Sequence, residues 1–152
     1  MSLEQRVMDD LKQAMRDKNE AALRTLRAIK AAILIEKTSE GATDVISEAT
    51  ELKMLQKMAK QRRDSLDIFV AQNREDLAAK EREELVIIER FLPKQMSVEE
   101  IQTELKAIIA QVGATSAADM GKVMGVASKQ LAGKADGKLI SENVKLLLSQ
   151  GA

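Results

Sequence analysis

The chain has 152 residues, with 24 basic side chains against 24 acidic ones, no histidine, cysteine, tryptophan or tyrosine, and one proline. Its apolar residues are mainly Ala, Leu, Ile, Val and Met, with only two Phe, a composition that favours helix over aromatic-rich sheet and leads to an expected all-α fold. The balanced charge gives no long-range field toward nucleic acid or membrane, the lack of cysteine excludes disulfides and thiol chemistry, and no run of about 18 apolar residues offers a membrane span. Together with an N-terminus that lacks a signal-like apolar core, these features lead to the expectation of a soluble, cytoplasmic protein without metal or membrane partner.

Taken in order, the chain marks its helices by start signals and a 3.6-residue apolar period. Ser2 with Gln5 three residues on has the pattern of a capping box, ahead of a first stripe of Leu3, Val7, Leu11 and Met15. Asn19 caps a second helix with Leu23, Leu26, Ile29, Ile33 and Leu34 inward, and Glu20 with Arg24 forms an i,i+4 pair in the favoured orientation. A loop is expected over 39–43. A long third helix starts near Ser47 with Leu52, Leu55, Met58, Ala59, Leu66 and Phe69 inward, and Asn73 restarts a fourth with Leu77, Leu85, Ile88 and Leu92 on one face. Short connections at 18–19 and 71–73 imply antiparallel hairpins, so residues 1–93 read as an elongated N-terminal bundle of two helical hairpins.

Pro93 sets a boundary, since it disfavours helix at Leu92 and cannot continue the backbone ladder. Ser97 and Glu100 form another capping-box pattern before Ile101, Leu105, Ile108, Ile109 and Val112, and Gly113 ends that helix. Ser116 and Asp119 open the next, with Met120, Val123, Met124, Ala127 and Leu131 inward and Gly133 as its stop. Asp136 caps a last helix carrying Leu139, Ile140, Val144, Leu147 and Leu148. Residues 97–150 therefore form a small three-helix domain. The eight methionines are expected to fill gaps in the core.

Catalytic chemistry is sparse. Without His or Cys the usual proton shuttle, the commonest metal ligand and the thiol nucleophile are gone. Neither a Walker-type nor a dinucleotide-type glycine loop occurs, nor a G-x-S-x-G elbow. No catalytic residue and no cofactor is assigned. The run Glu81-Arg82-Glu83-Glu84 is expected to be a solvated helix face. The basic strips Lys53, Lys57, Lys60, Arg62, Arg63 and Arg24, Arg27, Lys30 are expected to be ordinary helix solvation as well.

The stretch from Gly113 to Gly125, GATSAADMGKVMG, followed by Gly133-Lys134-Ala135-Asp136-Gly137-Lys138, resembles the signature of the GatB/YqeY tail domain. Gln61-Arg62-Arg63-Asp64-Ser65, then Phe69, Asn73-Arg74-Glu75-Asp76-Leu77 and Phe91-Leu92-Pro93-Lys94-Gln95-Met96-Ser97 resemble free-standing YqeY proteins in the same order. The resemblance implies an N-terminal helical bundle joined to a small helical domain similar to the tail with which GatB contacts transfer RNA. It also implies kinship with carbon–nitrogen ligases that use glutamine as amide donor. It does not extend to the catalytic core of GatB or to an amidase partner.

Helix geometry gives the same region a physical reading. At about 100° per residue, Gly121, Lys122, Gly125, Ser128 and Lys129 fall opposite the apolar stripe of their helix. Mid-helix glycine costs about 1 kcal/mol relative to Ala, and two lie one turn apart. They either let another backbone approach or admit a neighbouring helix of the same bundle. Lys134 and Lys138 repeat the glycine–lysine pairing at the next helix start, where free N–H groups favour anions. The candidate RNA-binding residues are Gly121, Lys122, Gly125, Lys129, Lys134 and Lys138. The expected function is a non-catalytic module that binds folded RNA, transfer RNA first, through backbone and shape. The alternative is a helical protein–protein adaptor with no RNA role.

Overall fold

The computed structural model describes residues 1–39 and 45–150, and these are all helix, turn or connecting coil. They form seven α-helices, α1 (Leu3–Asp17), α2 (Glu20–Ser39), α3 (Glu48–Ala71), α4 (Glu75–Glu89), α5 (Val98–Val112), α6 (Met120–Gln130) and α7 (Gly137–Ser149), with one 3-10 turn at Ala117–Asp119. The expected loop at 39–43 falls, beyond Ser39, outside the described residues. The fold is all-α. The chain divides into two compact units, Met1–Pro93 and Lys94–Ala152.

In the first unit α1 packs on α2, α3 on α4, and α2 also lies against both α3 and α4. Start signals take physical form at Ser2, Asn19 and Ser47. The Ser2 hydroxyl accepts from Gln5 N at 3.2 Å, Asn19 Oδ1 from Ala22 N at 3.0 Å, and Ser47 Oγ from Thr50 N at 3.1 Å. Ser2 thus caps, although the reciprocal half of the expected box does not form. The α3–α4 turn differs from expectation. Asn73 does not open α4 but adopts φ +55, while Arg74 N donates back to Phe69 O at 2.8 Å. Asn is among the few residues that tolerate this conformation, so it closes α3 and the next helix begins at Glu75.

The core of this unit joins Leu3 and Val7 of α1 to Leu23, Leu26, Ile29 and Ile33 of α2. Met54, Leu55 and Ala59 of α3 and Ile87 and Ile88 of α4 complete it, closed by Phe91 and Leu92. Each large side chain removed from water in this way contributes about 1.5–3 kcal/mol. Leu66, Phe69, Leu77 and Leu85 are only half-buried. Leu34 and Met15, expected inward, stand 62% and 55% exposed. Met1 and Met8 are exposed too, so the methionines serve the core at Met54 and, half-buried, at Met58, Met96, Met120 and Met124.

Charges correct the sequence reading most clearly. Arg24 does not pair along its own helix with Glu20. Its Nε lies 3.1 Å from Glu84 Oε1 and its Nη2 3.5 Å from Glu83 Oε2. Arg62 Nη1 lies 3.0 Å from Glu84 Oε2 and 3.3 Å from Glu81 Oε2, and Arg63 Nη2 is 3.2 Å from Glu89 Oε1. The run Glu81–Glu84 is therefore a solvated face only in part, with Arg82 and Glu83 exposed. Glu81 and Glu84 are largely covered, and they tie α4 to α2 and α3.

In the second unit α5, α6 and α7 pack mutually around Ile101, Leu105, Ile108, Ile109, Val123, Ala127, Leu131, Ile140, Val144, Leu147 and Leu148. The capping box at Ser97 and Glu100 is complete. Gly113 ends α5 at φ +69. Asn143, buried in α7, donates to Leu139 O at 2.8 Å and accepts from Gln102 Nε2 at 2.9 Å, so a polar group inside the core is satisfied. Asp136 stands at the N-cap of α7 but makes no side-chain capping bond there.

Candidate nucleic-acid interface

The site begins with the loop that aims α6. After Gly113, Ala114 N bonds back to Ile109 O at 3.1 Å. The Asp119 carboxylate then accepts from Thr115 N at 2.9 Å and Ser116 N at 3.4 Å. The bond from the Thr115 backbone is the main cause that holds this carboxyl below its usual range, with the Lys122 ammonium a smaller one. Burial of Val123 and Ala127, with Met120, Met124 and Val126 half-covered, sets the rotation of α6.

That rotation leaves Gly121, Lys122, Gly125, Ser128 and Lys129 exposed. A Cβ placed on Gly121 or Gly125 would meet nothing within 4 Å. The glycines therefore do not admit a neighbouring helix of their own unit, one of the two roles the sequence left open. They form a bare strip of helix backbone facing outward. Lys122 and Lys129 stand beside it, and neither makes an ion pair among the described residues.

Gly133 and Lys134 form the turn that follows. Gly133 is buried at φ +77, a conformation that suits glycine. Two bonds from the connecting segment fix the turn: Gln95 Nε2 donates to Gly133 O at 2.8 Å, and Met96 N to Lys134 O at 2.8 Å. These anchors gave no sequence signal, because they join residues 38 apart through backbone acceptors. Lys134 is exposed, as are Gly137 and Lys138 in the first turn of α7. Asp136 at that helix start opposes an anion there, so the glycine strip and turn have stronger grounds as a contact than the α7 terminus. Both Phe residues are at least half-buried, leaving no exposed ring on which a base could stack among the described residues.

The basic strips of the first unit divide differently. Arg24, Arg62 and Arg63 are engaged by α4 carboxylates, and Lys60 Nζ pairs with Asp64 at 2.9 Å. The described residues contain no cluster of acidic side chains suited to hold a metal ion, and no helix among them is long and apolar enough to cross a membrane.

A family model described as Yqey-like protein matches residues 4–148. The chain is also similar to proteins named altered inheritance of mitochondria protein 41, mitochondrial. It is 32% identical to that of Pyrenophora tritici-repentis over 145 residues, covering 92% of this chain and 77% of the relative. It is 37% identical to that of Meyerozyma guilliermondii over 105 residues, 68% of this chain and 54% of the relative. For Vanderwaltozyma polyspora the match is 33% over 102 residues, 66% and 55%. The chain thus spans about three-quarters of the first relative and about half of the other two. These relatives are named as mitochondrial, which overturns the cytoplasmic expectation. Lack of cysteine and of a long apolar run excludes certain structures but does not distinguish one aqueous compartment from another.

Proposed function

The chain belongs to the Yqey-like protein family, and from that premise we propose that it is a non-catalytic module that contacts folded RNA, transfer RNA first, through its C-terminal unit. The observation that carries this reading is the bare strip at Gly121 and Gly125. Two exposed glycines inside one helix cost about 1 kcal/mol each, and no contact within their own unit repays that cost. A backbone approaching from outside would. Lys122, Lys129 and Lys134 supply phosphate partners next to it, and Lys138 a further one. With no exposed ring for stacking, the contact is to sugar–phosphate backbone and to shape, as on a folded RNA surface.

On this reading kinship with the tail of glutamine-dependent transfer-RNA amidotransferases is a kinship of RNA contact. Any part in amide transfer is that of an accessory, because the sequence has neither the histidine nor the cysteine that such chemistry most often uses.

The test is fluorescence anisotropy of the whole protein against unfractionated transfer RNA, with a duplex RNA of equal length as control. Tighter binding to transfer RNA, weakening steeply between about 50 and 200 mM salt, is the expected result. Equal binding to both RNAs, or affinity unchanged by Lys129→Glu with Lys134→Glu, would remove the proposal.

A further inference from the structure

A second surface, on α2 of the first unit, is built differently. Arg27, Lys30, Ala31 and Leu34 recur at i, i+3, i+4 and i+7 and so share one side of the helix. They line an open groove of about 270 Å³ together with Ile33, Glu4 and Lys37. Ile33 is buried beneath it and Leu34 stands 62% exposed at its edge, with Ile35 beside it at 64%. Lys37 is ion-paired to Glu4, which fixes one end of the groove. Arg24, one turn before it, is taken by Glu83 and Glu84. Between these two satisfied cations Arg27 and Lys30 are exposed and have no ion pair or hydrogen bond among the described residues.

The groove of about 270 Å³ is open along one side of α2, whereas small-molecule sites enclose most of their ligand, so it suits the side chains of a docking segment better than a free ligand. An apolar floor has no use for phosphate. Anionic membranes are read by clusters of about four to eight cations, whereas two are free here. What fits is a segment with an apolar stripe to fill the groove and carboxylates placed to meet Arg27 and Lys30. An amphipathic helix carries both at one spacing, and complementary charge fixes its register.

We propose that the α2 groove at Arg27, Lys30 and Leu34 docks an acidic amphipathic helix of a protein partner. This surface shares no residue with the glycine strip, and the proposal does not rest on RNA binding.

The probe is a fluorescein-labelled alanine-based peptide of about four helical turns, with leucines at i, i+4 and i+7 flanked by glutamates, titrated with the full chain. Two control peptides replace every glutamate by lysine or every leucine by serine. Saturable binding of the acidic peptide alone is expected, weakened about tenfold or more by Arg27→Glu with Lys30→Glu and, separately, by Leu34→Ser. All three positions are exposed, and circular dichroism confirms that the variants keep their helix. Several results overturn the proposal. These are no binding up to about 1 mM, equal binding of the lysine peptide, affinity unchanged in the variants, or a groove already covered by a second copy, seen as a dimer that Leu34→Ser dissociates. Binding to phosphatidylserine vesicles that Arg27→Glu with Lys30→Glu abolishes and the acidic peptide does not compete would also overturn it, in favour of a lipid surface.

Discussion

Gln95 Nε2 donates to the carbonyl oxygen of Gly133 at 2.8 Å, so a side chain just past Pro93 fixes the turn that presents Lys134. The bond matters because Gly133 holds φ +77 in a buried position, where an L-residue such as Ala is strained. Gly133→Ala is expected to destabilise the C-terminal unit by about 1–2 kcal/mol. Gln95→Ala should cost about 1 kcal/mol through the unpaired carbonyl. Urea denaturation checks both, and faster amide exchange at Leu131, Lys134 and Ala135 in Gln95→Ala would locate the loss in this turn.

Gly121 and Gly125 give the opposite sign. Both lie in helix with open space around a new Cβ, so Gly121→Ala and Gly125→Ala should each stabilise the protein by about 0.5–1 kcal/mol. If the strip receives an RNA backbone, the same substitutions weaken transfer-RNA binding. A rise in thermal midpoint together with a fall in RNA affinity is the expected pair of results. A rise in both would show that the glycines do not touch RNA.

Arg62 is shared by Glu81 and Glu84, which are far more covered than surface acids. Glu81 Oε2, although 3.3 Å from Arg62 Nη1, receives no hydrogen bond, so its neutralisation rests on charge alone. Arg62→Met leaves two half-buried carboxylates near each other with only Arg24 to serve Glu84. A loss of about 1–3 kcal/mol is expected, partly recovered in the double variant Arg62→Met with Glu81→Leu. Removing the exposed Lys60–Asp64 pair by Asp64→Ala should cost no more than about 0.5 kcal/mol. A double-mutant cycle by chemical denaturation separates these terms.

These sign differences also show which parts of the fold can be read from a sequence. Ser2, Asn19, Ser47 and Ser97 announce their helices because a cap is local: the acceptor and the N–H it satisfies lie three residues apart. Val7, Ile29, Ile88, Ile101 and Val144 are legible for the same reason, since a 3.6-residue period places them inward. Partnerships across helices carry no such period. Arg24 stands four residues from Glu20, a spacing that promises a pair, yet Glu83 and Glu84 lie closer in space once α2 packs on α4. Leu34 continues the stripe of Ile33 in the sequence but lies about 100° round the helix from it, on the side of α2 that carries the exposed Arg27, Lys30 and Ala31. Of the candidate interface, the glycine and lysine spacing on α6 was readable. The strap from Gln95 and Met96 was not, because its acceptors are backbone carbonyls identical at every residue.

The loop before α6 yields a pH prediction whose sign follows from Asp119. Its carboxylate accepts from Thr115 N and Ser116 N, and these bonds favour the charged form, depressing its pKa from the ordinary value of 3.8. A depressed folded pKa means that the stabilisation is complete above the ordinary value. It is lost as pH falls below 3.8 and through the lower folded value, because the unfolded chain then binds the proton more readily. Native-state NMR should therefore show the Thr115 and Ser116 amide shifts titrating together, with a common midpoint below 3.8. In Asp119→Asn that titration should vanish, and stability should become less dependent on pH in the acid range. Because Asp119 sets where α6 begins, the substitution also tests the aim of the glycine strip. If the neutral amide of the Asp119→Asn variant keeps the two backbone bonds, RNA affinity at neutral pH stays near wild type; if the loop opens, affinity falls with it.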